Sequence, residues 1–313
     1  MTTEAIRDGY GKGLVEAAER DPRVVVLCAD LTESTRSQWF AEKFPDRFIE
    51  IGVAEQNLAV VASGLAAAGK IPFISSYATF SPGRNNEQIR TNIALNNVPV
   101  KIAGAHAGIS VGPDGATHQA LEDIAMMRAI PRMVVVVPCD AEEARKATVA
   151  IAFNGHPSYI RLSREQSPVI TTTEAPFEIG TAITLREGDG CAIIACGVLV
   201  AEALKAADIL KDEGIEVTVI NNHTIKPLDA DTIVTAARRC GAVVTAEEHQ
   251  VHGGMGSAVA EVLSAQFPVP IEFIGIQDAF GQSGTPAELM EFYHLTAPDI
   301  ADAVRRAIRR KAA

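Results

Sequence analysis

The stretch IGVAEQNLAVVASGLAAAGKIPFISS, residues 51–76, contains the end of one predicted strand, a helix and the whole of the next strand. After its first turn the helix, predicted over 54–69, is almost entirely Ala, Val, Leu and Gly, which is typical of a helix buried on most sides. A strand–helix–strand order of this kind predicts parallel neighbouring strands covered by helices. One residue does not suit burial: Glu55 places a carboxylate in the first helical turn.

The same alternation continues on both sides of this stretch. In the first half the predicted strands are 24–30, 47–52, 72–76, 100–106, 133–140 and 158–163, and the predicted helices are 4–20, 35–44, 54–69, 84–96, 118–129 and 140–153. In the second half the predicted strands are 181–187, 191–197, 216–222, 242–249 and 271–276, and the predicted helices are 198–213, 229–240, 255–266, 286–293 and 297–311.

Residues 167–180 interrupt this rhythm with Pro168, Pro176 and three consecutive threonines, which indicates a connection between domains. We therefore predict an α/β protein of two domains, each a mostly parallel sheet flanked by helices. The expected bounds are 1–168 for the first domain, 169–180 for the linker and 181–313 for the second domain.

Composition narrows the class of protein. The 313 residues include 28 basic and 39 acidic side chains, a net charge of −11, so the basic footprint of a nucleic-acid-binding protein is missing. No apolar run approaches the ~18 residues of a membrane span, and the N-terminal MTTEAIRDGYGKGL has no apolar core of a signal peptide. The five cysteines form no C-x-x-C pair and suit small buried side chains in a reducing compartment. We expect a soluble cytoplasmic protein that binds neither nucleic acid nor membrane.

Polar residues follow the predicted strands of the first half. Ligands of open α/β sheets bind beyond the carboxyl ends of the strands, so these positions are the candidate site. The segments that follow the strands are Asp30–Ser34, Gly52–Asn57, Tyr77–Arg84, His106–His118 and Arg164.

Three glycine-containing motifs are weaker signals. Gly188-Asp189-Gly190, with Asn221-Asn222 downstream, is similar to a metal-binding motif, but it precedes a strand and is better explained as a hairpin turn. The motif at 9–13 also precedes a strand and so lacks the context of a dinucleotide-binding loop. The motif at 253–257 follows a strand and opens a helix, where close packing of the helix on the sheet is favoured over anion binding. No His or Cys spacing predicts a metal site in this chain.

The segments at the strand ends resemble the pyrimidine-binding domain of transketolase. The resemblance rests on GVAEQN (52–57), SSYATFSPGRNNEQIR (75–90), HAGISVGPDGATHQALEDIAMMR (106–128), VVVVPCDAEEAR (134–145) and YIRLSR (159–164). In the second half, VINNHTIKPLD (219–229) and EEHQVHGGMGSAVAEVL (247–263) resemble the C-terminal domain of transketolase.

The resemblance implies a thiamine-diphosphate enzyme that transfers a two-carbon ketol unit between sugar phosphates. It leaves out the domain that grips the diphosphate and Mg²⁺ in full-length family members. The chain therefore resembles the smaller subunit of a split transketolase, which requires an N-terminal partner subunit for the diphosphate and metal. Closed symmetry favours two copies of each chain.

The resemblance also assigns roles to residues. A Glu at the position of Glu55 hydrogen-bonds N1′ of the cofactor's aminopyrimidine and favours the imino form, whose nitrogen removes the C2 proton. Phe80, with Tyr77 three residues before it, corresponds to aromatic residues that stack on that ring. Asp30 is a candidate near the thiazolium. Without the resemblance, Glu55 is explained as a residue that stabilises a first helical turn, and the aromatic residues as core.

The substrate residues are assigned in the same way. Asp114 corresponds to a residue that reads the sugar C2 hydroxyl, and His118 to one at the donor's carbonyl and C1 hydroxyl, where it polarises the carbonyl or moves protons. His106, Arg164 and Ser34 correspond to contacts of the substrate phosphate, for which the guanidinium fork is suited. Arg84 is added to the substrate set, in a loop with one more residue than in full-length family members. His223, His249 and His252 have no assigned role.

Other functions remain open at this point. Within the superfamily they are deoxyxylulose-phosphate synthase, a ketol transferase for an unusual sugar, and the β subunit of a 2-oxoacid dehydrogenase, which usually lacks the D-G-x-T-H-Q pattern. A subunit that keeps the fold without catalysis is the alternative outside the enzymes. That alternative predicts loss of the acidic and histidine residues, all of which are present here.

Overall fold

The computed structural model describes residues 2–311. The strands of the first half are β1 (Thr3–Ala5), β2 (Val24–Cys28), β3 (Phe48–Glu50), β4 (Ile71–Tyr77), β5 (Lys101–Ala105), β6 (Val134–Val136), β7 (Ser158–Arg161) and β8 (Gln166–Pro168). Its helices are α1 (Ile6–Arg20), α2 (Gln38–Lys43), α3 (Glu55–Ala67), α4 (Asn86–Gln88), α5 (Asp123–Ala129) and α6 (Ala141–Ala152). Short 3₁₀ segments occupy Pro45–Arg47 and Ile109–Asp114, and a π-helix occupies Ile89–Ala94.

The second half has the same kinds of element. Its strands are β9 (Ile183–Arg186), β10 (Ala192–Ala195), β11 (Thr218–Asn221), β12 (Thr224–Lys226), β13 (Val243–Gln250) and β14 (Ile271–Ile276). Its helices are α7 (Leu199–Asp212), α8 (Ala230–Cys240), α9 (Met255–Gln266), α10 (Pro286–Phe292) and α11 (Ala297–Lys311). None of the helices within residues 2–311 combines the length and apolar character needed to cross a membrane.

Two mostly parallel sheets carry the fold, as predicted. The first has the order β12-β6-β7-β5-β4-β2-β3, in which only β12 is antiparallel to its neighbour. The second has the order β14-β13-β10-β11-β9, in which only β9 is antiparallel. A third, two-stranded sheet pairs β1 with β8.

The apolar strands are buried on both faces, which is why they show no alternation in sequence. In β2, Val24 and Val26 pack in the cluster that includes α1, whereas Val25 and Leu27 pack in the cluster that includes α3. The α3 cluster continues into the second sheet through residues such as Ile194. The two sheets therefore share part of one hydrophobic core.

Two predictions about local structure were wrong, and one strand of the first sheet was missed. The helix predicted over 118–129 begins only at Asp123, because the preceding residues form a loop held by the side chain of Gln119. Gly188–Gly190 is not a hairpin turn, since β9 pairs with β11 and not with β10. Residues 224–226 were placed in no element, yet they form β12 at the edge of the first sheet, with Thr224 opposite Val136.

Residues 169–180, the predicted linker, lie against α6. The backbone N–H groups of Ile170 and Thr171 donate to Asp140 at 2.8 and 2.6 Å, and Asp140 also caps α6 by accepting from the N–H of Glu143. Phe177 packs against the α1–α6 cluster. One carboxylate thus fixes both the start of a helix and the path of the connection.

The glycines at 9–13 allow α1 and α6 to pack closely. A Cβ on Gly9 would overlap the backbone carbonyl of Ala141, and a Cβ on Gly13 would lie 2.6 Å from Cβ of Thr148. These glycines therefore form a helix–helix contact and not a nucleotide-binding loop.

We expect Gly9→Ala to lower the free energy of unfolding by about 1–3 kcal/mol, because the added methyl group forces the two helices apart. Gly64→Ala is the matched control, since Gly64 is also helical but has open space around its Cα. The control should raise stability by about 0.5–1 kcal/mol through helix propensity. Thermal unfolding of the isolated chain measures both, and an equal response of the two variants would contradict the packing argument.

Candidate active site

The predicted site residues of the first half gather at the carboxyl end of the first sheet. Tyr77 ends β4, His106 follows β5, and Glu55 follows β3. Because these strands are parallel and β4 lies next to β5, their ends meet at one edge. Three groups lie at this edge: an aromatic–imidazole cluster, a buried carboxylate and a cluster of cations.

The aromatic–imidazole cluster consists of Tyr77, Phe80, His106 and His118. The rings of Tyr77 and Phe80 are nearly parallel, at 22° and 6.2 Å between centroids. The ring of His106 lies 4.1 Å from that of Tyr77, and His118 meets the edge of Phe80 at 5.5 Å. His118 is half-buried, and its Nδ1 lies 2.9 Å from the hydroxyl of Thr117. Flat rings with imidazole nitrogens beside them suit a heteroaromatic ligand.

The buried carboxylate is Glu55, whose side chain is 2 % exposed. Its Oε2 accepts a hydrogen bond of 2.7 Å from Nη1 of Arg84, and Asn85 donates to its backbone carbonyl at 2.9 Å. The Arg84 guanidinium in turn lies over the ring of Phe80, 4.7 Å from its centroid. A flat group with N–H donors therefore occupies the space between Phe80 and Glu55.

The cation cluster surrounds His106. Arg7 donates from Nη1 to Nε2 of His106 at 3.2 Å and to the backbone carbonyl of Ser34 at 2.9 Å. Burial, together with the charges of Arg7, Arg164 and Arg36, lowers the pKa of His106 to about 3. Since a guanidinium can only donate, Nε2 of His106 is the acceptor and its proton lies on Nδ1. The imidazole is neutral, and the positive charge belongs to the arginines.

Two donors in this cluster have no hydrogen-bond partner among residues 2–311, Nε of Arg7 and Nδ1 of His106. Burial and the neighbouring charge of Arg36 lower the pKa of Arg7, although guanidinium groups stay protonated at neutral pH. Arg36 is held by Asp8 at 2.5 Å. Half-buried cations with free donors favour an anionic ligand.

Asp114 and Arg164 lie together at the open side of the site. Nη1 of Arg164 is 3.7 Å from Oδ2 of Asp114 and donates to the backbone carbonyl of Val111 at 2.8 Å. Both side chains are about one-third exposed. The arginine therefore connects the loop of Asp114 with the cation cluster.

Asp30 and Ser34 form hydrogen bonds at the site through their backbone groups. Asp30 is exposed, and its backbone N–H donates to Glu50, which also accepts from the N–H of Gly52 at the start of the Glu55 loop. Ser34 holds Arg7 through its backbone carbonyl. Among residues 2–311, no hydrogen bond or ion pair joins the Asp30 carboxylate to another candidate residue.

Sequence reasoning missed Arg7 and Arg36. Arg7 opens α1 and follows no strand of the first sheet, so a search of strand ends passes over it. The pairing of β1 with β8 sets Ala5 opposite Gln166 and thus brings Arg7 next to Arg164. The only local signal was a cation in the first turn of α1, where the helix dipole does not favour it.

The second half of the chain contributes fewer polar side chains that could bind a ligand. In the glycine motif at 253–257, the N–H groups of Met255 and Gly256 donate to the carboxylate of Glu247 at 2.7 and 2.8 Å, so the helix N-terminus already has an internal anion. His249 accepts from the N–H of Ala125 at 3.3 Å, and His223 packs on Phe177. His252 is exposed. Within residues 2–311, no three His, Cys, Asp or Glu side chains converge where they could hold a metal ion.

All five cysteines are buried, and none is in a disulfide. Burial raises the pKa of Cys191 to about 12, so its thiol stays protonated. The cysteines are therefore inert packing residues and not nucleophiles.

The lowered pKa of His106 predicts a dependence of stability on pH. An unfolded histidine titrates near pH ~6.5, so below that pH the unfolded chain binds a proton that folded His106 refuses until about pH 3. Stability should fall with falling pH by up to about 1.4 kcal/mol per unit from this residue. We expect His106→Gln to lose less stability than the wild type between about pH 6 and pH 4. Melting temperatures across that range measure how steeply stability depends on pH. His156→Gln is the control, because His156 is exposed. Equal pH dependence in the wild type and both variants would refute the prediction.

Known proteins are similar to this chain over nearly its whole length. The sequence profile of the transketolase pyrimidine-binding domain matches residues 3–169, and that of the transketolase C-terminal domain matches residues 180–300. A protein of Methanocaldococcus jannaschii named a putative transketolase C-terminal section is 43 % identical, over 98 % of each chain. A 6-deoxy-6-sulfo-D-fructose transketolase subunit of Clostridium sp. strain MSTE9 is 42 % identical, over 98 % of this chain and 95 % of that one. A solved structure described as a split-gene transketolase, an inactive beta4 tetramer, is 47 % identical with a TM-score of 0.92, over 98 % and 99 % of the two chains.

Proposed function

The chain belongs to the transketolase family, and we propose that it is the subunit of a split transketolase that supplies the aminopyrimidine pocket and the substrate-binding face. The proposed reaction moves a two-carbon ketol unit between sugar phosphates. The observation that carries the proposal is the buried carboxylate of Glu55, which is connected to the ring of Phe80 through the Arg84 guanidinium, with the cation cluster around His106 at the same edge of the sheet.

Glu55 is proposed to hold the aminopyrimidine of thiamine diphosphate. The fit is supported by Arg84, whose flat guanidinium lies over Phe80 and donates an N–H to Glu55, as a stacked aminopyrimidine with a protonated N1′ would do. In this role Glu55 accepts that proton's hydrogen bond, and Phe80 and Tyr77 provide the stacking surface. When bound, the cofactor supplies the nucleophilic carbon and the electron sink for cleavage of the carbon–carbon bond.

The cation cluster is proposed to bind the anionic end of the sugar. Nε of Arg7 and Nδ1 of His106 are free donors, and Arg164 stands at the open side. Because His106 is neutral, it acts as a hydrogen-bond donor to the anion and not as a second charge. Arg36 adds charge at longer range.

Asp114 and His118 are proposed to act on the sugar's reacting end. Asp114 accepts a hydrogen bond from the C2 hydroxyl and so reads its configuration, while Arg164 lies 3.7 Å from the same carboxylate. His118 is half-buried next to Phe80 and has an imidazole suited to donate a proton to the donor's carbonyl oxygen or to take one from it. Asp30 near the cofactor, and Ser34 and Arg84 among the substrate contacts, complete the proposed set.

A partner subunit is proposed to supply the Mg²⁺ and diphosphate site, and two copies of each chain to form the active assembly. The name of the M. jannaschii relative, a C-terminal section, and the description of the similar solved structure as a split-gene transketolase support this division of labour. The outer side of α3 is a candidate interface, since Val53 and Val60 are 71 % and 43 % exposed next to Glu55.

We propose 1–168 and 181–313 as the two domains and 169–180 as their linker. We also propose that the protein is cytoplasmic, a compartment in which its five free thiols are stable.

An alternative substrate class is suggested by the Clostridium relative, whose name includes a sulfonated sugar. A sulfonate is also an anionic end group with oxygens that accept from arginine and imidazole donors. The cation cluster therefore fits a ketol transferase for either phosphorylated or sulfonated ketoses.

The test is ketol transfer from xylulose 5-phosphate to ribose 5-phosphate with thiamine diphosphate and Mg²⁺. This chain is assayed alone, and then together with the product of the adjacent gene. Activity only in the mixture supports the proposal, and activity of the chain alone would refute the need for a partner. A sulfonated ketose as donor separates the two substrate classes. Formation of deoxyxylulose phosphate from pyruvate and glyceraldehyde 3-phosphate would instead assign the synthase reaction.

A further inference from the structure

We propose that Glu248, in the second sheet, is a positioning residue that fixes the loop carrying Asp114 and His118. The inference rests on the proposed function for its kinetic consequence, and on the structure alone for the contact. It gives the C-terminal half, which adds no group to the aromatic–imidazole cluster, a defined part in substrate binding.

The contact is made between a buried carboxylate and the backbone of the loop. Oε1 of Glu248 accepts the N–H of Ser110 at 2.6 Å, and both residues are buried. A Cβ on Gly108 would overlap the carboxylate of Glu248, so the loop and β13 approach as closely as a glycine permits. This hydrogen bond joins residues 138 positions apart in the chain.

The carboxylate is itself held in place by the first sheet. Arg161 donates from Nη2 to the backbone carbonyl of Glu248 at 2.7 Å, and its Nη1 is 4.0 Å from Oε2. The same guanidinium donates from Nε to Asp123 at 2.9 Å. Arg161 therefore sets the position of β13 relative to β7 and α5, and with it the position of the Glu248 carboxylate.

The loop needs an external support because its own sequence does not provide one. Gly108 and Gly115, which bound the 3₁₀ segment, have φ of +91° and +74°, a region that glycine adopts without steric strain and in which no side chain can hold the backbone. Gln119 supplies a second attachment, since its Nε2 donates to the carbonyls of Ile109 and Gln282 at 3.1 and 3.0 Å. Asp114 and His118 lie between these two attachments, so their directions depend on them.

The neighbouring residue Glu247 provides a matched control. It lies on the same strand and is as deeply buried, and it also accepts backbone N–H groups, but those belong to the first turn of α9. Replacing Glu247 therefore disturbs β13 without removing a contact to the loop. A general loss of stability in the second sheet would affect both variants alike.

The experiment compares Glu248→Ala, Glu248→Gln and Glu247→Ala with the wild type by hydrogen exchange of the isolated chain. We expect the Ser110 amide to exchange at least about tenfold faster in Glu248→Ala, because that variant lacks the acceptor. Glu248→Gln keeps an oxygen at the same place and should restore protection, and Glu247→Ala should leave the Ser110 amide protected. Unchanged exchange in Glu248→Ala, or equal acceleration in Glu247→Ala, would overturn the proposal.

A second pair of variants approaches the contact from the loop. In Gly108→Ala the methyl group displaces the carboxylate, and the same acceleration at Ser110 is expected. Gly155→Ala controls for backbone strain, since Gly155 has φ of +73° but open space around it. Protection of Ser110 that survives in Gly108→Ala would count against the proposal even where Glu248→Ala does not fold.

The kinetic arm uses the complex with the partner subunit. We expect Glu248→Ala to raise KM for the ketose donor by about tenfold, more than it lowers kcat, because Asp114 and His118 are displaced and not removed. Glu248→Gln should return KM to near the wild-type value. Absence of ketol transfer in the wild-type complex would count against the proposed function alone, because the exchange measurement needs no substrate.

Discussion

Glu55→Gln is expected to lower kcat for ketol transfer in the reconstituted complex by about 10²–10⁴-fold, the range of positioned acid–base groups. The substitution keeps the size and burial of the side chain but removes the carboxylate that accepts from a protonated ring nitrogen. Glu55 is 2 % exposed, so no water replaces the lost acceptor. Steady-state rates with saturating donor and acceptor measure the effect.

The matched control is Glu174→Gln, which makes the same chemical change at an exposed position in the connecting segment 169–180. Binding of thiamine diphosphate should also be weaker in Glu55→Gln, which can be followed apart from turnover by titration calorimetry. A wild-type rate in Glu55→Gln without any added activator would remove Glu55 from the catalytic assignment.

Arg7→Met is expected to raise KM for a phosphorylated ketose donor by about 30-fold or more, because a half-buried charged donor is lost from the anion site. KM for the corresponding unphosphorylated ketose should change little, since that substrate has no charge to place there. Arg7→Lys should give an intermediate KM, because the ammonium keeps the charge but not the planar fork.

Two results would argue against the anion site. An equal rise in KM for both donors would mean that Arg7 acts by holding Ser34 and His106, to which it also donates. A similar rise in Arg23→Met, at an exposed ion pair with Asp21, would mean that the effect follows general charge loss. Ratios of KM between the two donors provide the readout in both cases.

Apolar runs were sufficient to predict most of the sheet architecture. Strands such as 24–30 and 133–140 are mostly apolar because helices cover both faces, and that signal is present in any single sequence. The strands that escaped, such as 224–226, have three residues and lie at a sheet edge. Their pairing partners are distant in the chain, so neither length nor periodicity marks them. The wrong hairpin at 188–190 has the same cause, since β9 pairs beyond its sequence neighbour.

Some residues of the candidate site could likewise be predicted from the sequence, and others could not. Residues that follow strands, such as Tyr77 and His106, were predictable because parallel strands bring their ends together. Arg7 was not, because the antiparallel pairing of β1 with β8 places it there. The pairing of Arg84 with Glu55 also could not be predicted, since it depends on how a loop folds back over a helix start.

The strand β12 has a consequence for how the molecule can be divided. Because residues 224–226 complete the first sheet beside β6, a fragment that ends near residue 180 would expose the all-valine strand Val134–Val136 as an open edge. Such a fragment is prone to aggregate, and the reciprocal fragment would carry a strand with no sheet to join. Because the second half of the chain supplies a strand to the first sheet, we expect the two halves to unfold cooperatively in a single transition. For the same reason the polypeptide has to be expressed whole.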